Sequence, residues 1–284
     1  MSEEEQKNQE KKKDPILIEA LKIQLPMSLN FILERGTEVV NLIFIGQMGT
    51  VAEIGGVSLG NVLIAMLIFT IVLSLNSYTT QMMSKAKQSN NPRLVKDYLN
   101  KARIFSICLC TLNSIILTVC KYFLVPLGID AETAHYCQLY LLVQLPALFV
   151  IVFYELSRAL VFAFKRPLLT SHIIPFTFAF HFLWNWIFVC KLEWGVVGTS
   201  VATNITYLLN FLGQWWVLNR YEDMRECHGL SDSSVWNGLT DYMKAGLKVI
   251  VVRSSDAWSM MIALLVGATF SSTASAAIGI CSSI

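Results

Sequence analysis

Of the ionisable residues that stand inside apolar stretches, where charge is expensive, five draw attention first. Arg253 and Asp256 lie near the middle of residues 247–270, 24 mostly apolar residues, and Glu34, Arg35 and Glu38 lie within residues 16–46. An ionisable group at bilayer depth costs about 2.5–3.5 kcal/mol on insertion scales and usually faces a bundle interior or a watery cavity. A carboxylate so placed can hold a proton or neutralise a cation, and Asp256 is the leading candidate for that chemistry. The structural alternative is an Asp256–Arg253 pair, since residues three apart are neighbours on a helix face. Glu34 and Glu38 are four apart and share a face, while Arg35 is turned about 100° away. They either face a cavity or form an ion-pair cluster with Arg35. Asn61, Asn76, Gln144, Asn185 and Asn204 are polar residues within apolar runs. Interhelical hydrogen bonds, about 0.6 kcal/mol each, account for most of them, and Asn61 is the best candidate to line a cavity. Trp258, two residues beyond Asp256, either offers a ring face to a cation or packs against its surroundings.

The elements that must position these residues are membrane helices. The chain has 284 residues, 54% hydrophobic and 15% charged, with a mean hydropathy of +0.53; an ordinary soluble domain is about 25% charged. About 20 apolar residues suffice for a helix to cross a bilayer, and such runs recur near 16–46, 54–80, 104–128, 137–164, 168–190, 195–219 and 247–270. The fold expected is all-α, a polytopic membrane bundle. Lys and Arg counts in the tail and successive connections alternate 4, 0, 6, 1, 3, 1, 4, which by the positive-inside rule places the N-terminus and the even-numbered loops in the cytosol. Residues 1–15 read as a disordered, charged cytosolic tail, and 220–246 as a cytosolic linker.

A net charge of +2 gives no reason to expect nucleic acid as a partner; the partner expected is the lipid bilayer. Seven cysteines and four histidines are scattered without metal-ligand spacing, so the cysteines read as packing residues and no metal site is expected. The acceptor triplet Asn204-Ile-Thr206 falls inside the sixth run, where it would be unmodified. No nucleophile–base pair or phosphate-binding loop is present, so no enzyme is expected.

An internal repeat organises the chain. Glu19-Ala-Leu-Lys22 precedes Glu34 by twelve residues counted from the lysine, and Asp241-Tyr-Met-Lys244 precedes Asp256 by the same count. Ala52–Gly60 and Thr273–Cys281 match in small-residue pattern at an offset of 221. The chain reads as a six-helix lobe (16–219) followed by the start of a second copy (247–284), a seventh helix and part of an eighth. Repeats of this kind are typical of transporters, with sites where the halves meet. The ending Gly-Ile-Cys-Ser-Ser-Ile, partway into an apolar helix, is read as a cut rather than an evolved terminus.

Ordered segments then resemble the multidrug and toxic compound extrusion family. Pro26-Met-Ser-Leu through Phe44-Ile-Gly-Gln-Met-Gly49 is similar to the family's opening proline helix, and Ala52-Glu-Ile-Gly-Gly-Val-Ser-Leu-Gly-Asn61 to its second. Gln81 with the basic stretch 85–103, Tyr154-Glu-Leu-Ser-Arg-Ala-Leu160, Gly195-Val-Val-Gly-Thr-Ser-Val-Ala-Thr-Asn-Ile-Thr206 and Ser255-Asp-Ala-Trp-Ser-Met-Met-Ile262 follow in the family's order. The resemblance implies one lobe and a little more of a twelve-helix antiporter exchanging protons or sodium for organic cations, drugs or metabolites, with no cofactor beyond that ion. It implies coupling at Asp256, whose usual second acid is here Met261. Prokaryotic relatives carry an acid at the position of Asn41, so the acidic site moves one turn, to Glu38, beside Glu34. Asn41, Asn61 and Trp258 are the substrate-binding candidates. The other half would come from a missing C-terminal lobe or from a second copy, in the plasma membrane or an endomembrane such as the vacuole. The runner-up readings are a lipid-linked saccharide flippase of the same superfamily, less suited to acidic residues, and a non-transporting partner or regulator of a full-length transporter.

Overall fold

The computed structural model describes residues 3–230 and 233–269. Among them, seven long helices form one bundle: α1 (Glu3–Met48), α2 (Val51–Gln88), α3 (Pro92–Thr118), α4 (Ala131–Ala163), α5 (Ile173–Asn185, running on through Trp186–Lys191), α6 (Gly195–Arg220) and α7 (Leu239–Ala268). The all-α bundle expected from the apolar runs is the fold. By length and composition, α2, α3, α4 and the stretch Pro167–Lys191 are each apolar enough to cross a membrane. The other three carry more polar residues, and α6 buries a row of them: Thr199, Ser200, Thr203, Thr206, Asn210 and Gln214.

The helices outrun their apolar cores because their ends are capped by polar residues outside those cores. Thr50 and Glu53 close a capping box at the start of α2, the Thr50 hydroxyl accepting from the Glu53 amide at 3.3 Å and the Glu53 carboxylate from the Thr50 amide at 2.7 Å, so two orphan amides are satisfied. Asn91 caps α3 ahead of Pro92 at the first helical position, and Asp130 caps α4. Gly238, in the left-handed region at φ 70°, turns the chain into α7. Residues 3–15, expected as a disordered tail, are the first turns of α1; their Glu, Gln and Lys are good helix formers and join a helix already nucleated by the span that follows.

The core sits around α4, which packs against α6, α2 and α3, while α1 lies against α5, α2 and α6, and α7 lies on α2. Close approach of α2 to α4 depends on missing side chains. A Cβ at Gly56 would stand 2.6 Å from Tyr136 Cβ, and one at Gly60 2.5 Å from the Tyr140 ring. Within α2 the segment Ala65–Phe69 is π-helical, a local widening of a kind frequent at functional sites. Between α6 and α7, a short helix (Glu222–His228) and a turn (Ser233–Trp236) are tied onto α3. Asn100 Nδ2 donates to the Gly229 carbonyl at 2.9 Å, Lys101 Nζ to the Asn237 carbonyl at 2.6 Å, and Ser234 Oγ to Asp97 Oδ1 at 3.0 Å. Residues 273–281, the second half of the proposed repeat, lie outside the described residues.

Candidate functional site

One turn of α1 brings Glu34, Arg35 and Glu38 to a seam shared with α2, α4 and α6. Across it, α4 presents Glu155 and Arg158, three residues apart on one face. Arg158 Nη1 meets both carboxylate oxygens of Glu34 at 3.0 and 2.9 Å, and its Nη2 meets Glu155 Oε1 at 3.0 Å. The guanidinium thus bridges two carboxylates through donors on separate nitrogens, a task its rigid plane suits. Asn76 of α2 donates to the other oxygen of Glu155 at 3.3 Å. Arg35 turns back one turn to Glu38, Nη1 to Oε1 at 3.0 Å, and its guanidinium carbon lies 5.1 Å from the centre of the Phe69 ring.

These groups enclose a cavity of about 80 Å³ lined by Phe31, Glu34, Arg35, Glu38, Phe69, Leu73, Glu155, Arg158 and Tyr207. Phe31 and Arg158 also line a larger cavity of about 400 Å³, whose other walls include Gln24, Asn30, Phe162, Pro167 and Thr170. With every group ionised, three carboxylates face two guanidiniums, a difference of one negative charge. Burial penalises such a surplus charge, and a proton or a bound cation would neutralise it.

A second polar centre lies further along α1, and it holds no carboxylate. His181 of α5 is fully buried. Its Nδ1 is 2.8 Å from the Thr206 hydroxyl, and its Nε2 is 3.0 Å from Asn41 Oδ1 and 3.0 Å from Asn185 Nδ2. Asn41 Nδ2 in turn donates to Thr203 Oγ1 at 2.9 Å. Thr37 and Asn41 stand on the same stripe of α1 as Glu34 and Glu38, three and seven residues beyond Glu34. Asn41 is about a turn further along, where α5 and α6 meet the helix, and so joins this hub rather than the charged cavity.

The remaining candidates are placed as follows. Asn61 is buried and accepts from the Tyr140 hydroxyl at 2.7 Å, tying α2 to α4. Trp258 Nε1 donates to the Met66 carbonyl at 3.0 Å, in the π-helical segment of α2. Arg253 donates to Ser77 of α2. Asp256 lies on α7 by its backbone, and its side chain falls outside what is described. Glu34 and Glu38 therefore share one site, to which Glu155 and Arg158 must be added. Their sequence signal is two charges inside an apolar run at helical spacing, the same signal that picks out Glu34 and Glu38.

Fold and site together define a class: a polytopic helical bundle with a charged interior cavity. Residues 26–187 match the MatE family. The chain is 21% identical over 249 residues to Protein DETOXIFICATION 36 of Arabidopsis thaliana, covering 85% of this chain and 48% of that one. It is 24% identical over 184 residues to Protein DETOXIFICATION 35 of the same plant, covering 65% and 38%. Among solved structures, the eukaryotic MATE transporter AtDTX14 superposes with a TM-score of 0.77 at 16% identity, over 87% of this chain and 55% of that one. A point mutant of the Vibrio cholerae MATE transporter VcmN does so with 0.74 at 19% identity, over 93% and 59%. The family match covers more than half of the sequence, and the chain belongs to the MatE family of multidrug and toxic compound extrusion transporters. It spans about half the length of the curated relatives it matches.

Proposed function

We propose that this chain supplies the amino-terminal lobe of a secondary antiporter that exports organic cations or metabolites in exchange for protons or sodium. The observation that carries the reading is the single surplus carboxylate in the cavity between α1, α2, α4 and α6. A cation bound there and a proton on Glu38 compete for the same charge, so loading one releases the other; that competition is antiport without any covalent step. Glu34 is clamped by Arg158 and holds the frame, leaving Glu38, paired to the more exposed Arg35, as the exchangeable acid. Asp256, on the helix that opens the second lobe, is the second proposed coupling residue. The relatives' name, DETOXIFICATION, accords with foreign organic compounds as cargo.

In this reading residues 16–219 are the first lobe, 220–246 a cytosolic linker and 247–284 the start of the second lobe, which a further segment or a second copy completes. The N-terminus is cytosolic, in the plasma membrane or an endomembrane. The test is uptake of a fluorescent organic cation into vesicles holding the chain, driven by a proton or sodium gradient, beside Asp256→Asn and Glu38→Gln. Gradient-dependent uptake lost in both variants is expected. Uptake indifferent to both substitutions would overturn the assignment of the residues. No uptake from a folded, inserted chain would overturn transport by this chain alone.

A further inference from the structure

The two guanidiniums of the cavity are held very differently. Arg158 is clamped between two carboxylates on two helices. Arg35 reaches one carboxylate on its own helix, and its side chain is 31% exposed. Its guanidinium carbon lies 5.1 Å from the ring centre of Phe69 and 5.9 Å from that of Phe31. A positive group set among ring faces beside a carboxylate is the arrangement by which proteins recognise quaternary ammonium and guanidinium ligands. Here the seat is built from three elements: Phe31 and Glu38 come from α1 and Phe69 from the π-helical turn of α2, with Tyr207 of α6 edge-on to Phe69 at 6.4 Å.

We infer that Phe31, Phe69 and Glu38 form a binding cage for weakly hydrated organic cations, and that Arg35 fills it as a tethered competitor until such a cation displaces it. The inference rests on the cation-antiport reading above and adds the residues that select the cation and the competitor that occupies their seat. A ligand that spreads its charge over an apolar or aromatic body gains from the rings and sheds little hydration, so it can displace the guanidinium. A compact, strongly hydrated ammonium gains less from the rings and leaves Arg35 in place. Arg35 has room to swing out, because its long side chain is only part-covered and is held by one carboxylate on its own helix.

The test is the binding of tetramethylammonium, a weakly hydrated cation of about the size of the group it would displace, to the full chain in lipid nanodiscs, measured by calorimetry for the wild type, Arg35→Met, Phe69→Leu, their double variant and Glu38→Gln. Removing the competitor tightens binding about tenfold, the scale of one desolvated cation–ring contact. Phe69→Leu then weakens binding by about fivefold when Arg35 is absent, and by less than about twofold when it is present, because in the wild type the ring serves competitor and ligand alike. Phe31→Leu, at an exposed position, repeats the test where folding is not at stake. Unchanged or weaker binding in Arg35→Met would overturn the inference. So would an equal effect of Phe69→Leu in both backgrounds, the sign of simple charge removal. If binding depends on Glu38 but ignores Arg35 and Phe69, the cage falls and the antiport reading stands; if no variant binds the cation, both fall.

Discussion

Helix α1 carries two polar seams that differ in kind. Glu34 pairs with Arg158 of α4 and Glu38 with Arg35, while the Thr37 carbonyl and the Asn41 side chain, each three residues further along the same stripe, meet His181 of α5 and Thr203 of α6 by hydrogen bonds. The His181 hub links α1, α5 and α6 through short hydrogen bonds and holds no carboxylate. The charged seam has a cavity, a surplus charge and one guanidinium on a loose tether. The lesson is a division of labour within one helix: the hub and the Arg158 clamp fix where α1 sits, so Glu38 and Arg35 can change what they hold without moving the helix.

That contrast breaks first at Arg158. Arg158→Leu leaves Glu34 and Glu155 facing one another without their counter-charge, and removing one partner of a buried pair costs about 3–5 kcal/mol. A fall of many degrees in thermal midpoint, or loss of monodisperse protein, is expected in detergent; an unchanged midpoint would show the clamp to be dispensable. Next comes His181→Ala, which strips partners from Asn41, Thr206 and Asn185; each buried group left unsatisfied costs about 1–3 kcal/mol. Stability should fall while organic-cation affinity in the surviving protein stays the same. A change in affinity would erase the division between the seams. Glu38→Gln is the converse: cation affinity drops about tenfold while stability shifts by about 1 kcal/mol or less, as expected for a partly exposed pair. Parallel melting and binding curves would settle which way each seam responds.

The smallest effect lies outside both seams, at His228 in the linker. Burial, reinforced by the positive charge of Arg103, lowers its pKa to about 4. The fold therefore favours the neutral ring, and the stability this gives is present above the unfolded value near 6.5 and is lost as pH falls towards about 4. Linker protection against a protease should weaken between those limits in the wild type and stay flat in His228→Gln. Equal pH dependence in the two would rule out this histidine as its source.

Much of this is legible in the residues. The apolar runs locate all seven helices, and the four-residue spacing of Glu34 and Glu38 puts both in one cavity. The helices extend past those runs, because charged residues such as Arg93, Lys96 and Asp97 belong to α3 although no apolar window includes them. The partners of Glu34 are illegible for a different reason: Arg158 lies 124 residues away, and no local pattern says that α4 crosses α1 at that height. His181 looks isolated in the sequence, and of the two threonines that meet the hub, Thr203 and Thr206, only the second is singled out there, as part of the triplet Asn204-Ile-Thr206. Only the packing of α5 on α6 turns those hydroxyls into a hub. Asp256 remains a sequence argument.

The π-helical turn at Ala65–Phe69 has a consequence for α2 as a whole. One extra residue in a helical turn rotates everything beyond it by about 100° relative to an uninterrupted helix. Before the turn, Gly56, Gly60 and Asn61 are matched to Tyr136 and Tyr140. Beyond it, Ser74 and Thr79 are matched to Ser254 and Tyr242 of α7, and Asn76 to Glu155. The helix therefore behaves as two keys cut on one shank, each filed for its own lock. Deleting a single residue from the turn would keep both sequences intact, yet leave the second key facing the wrong way.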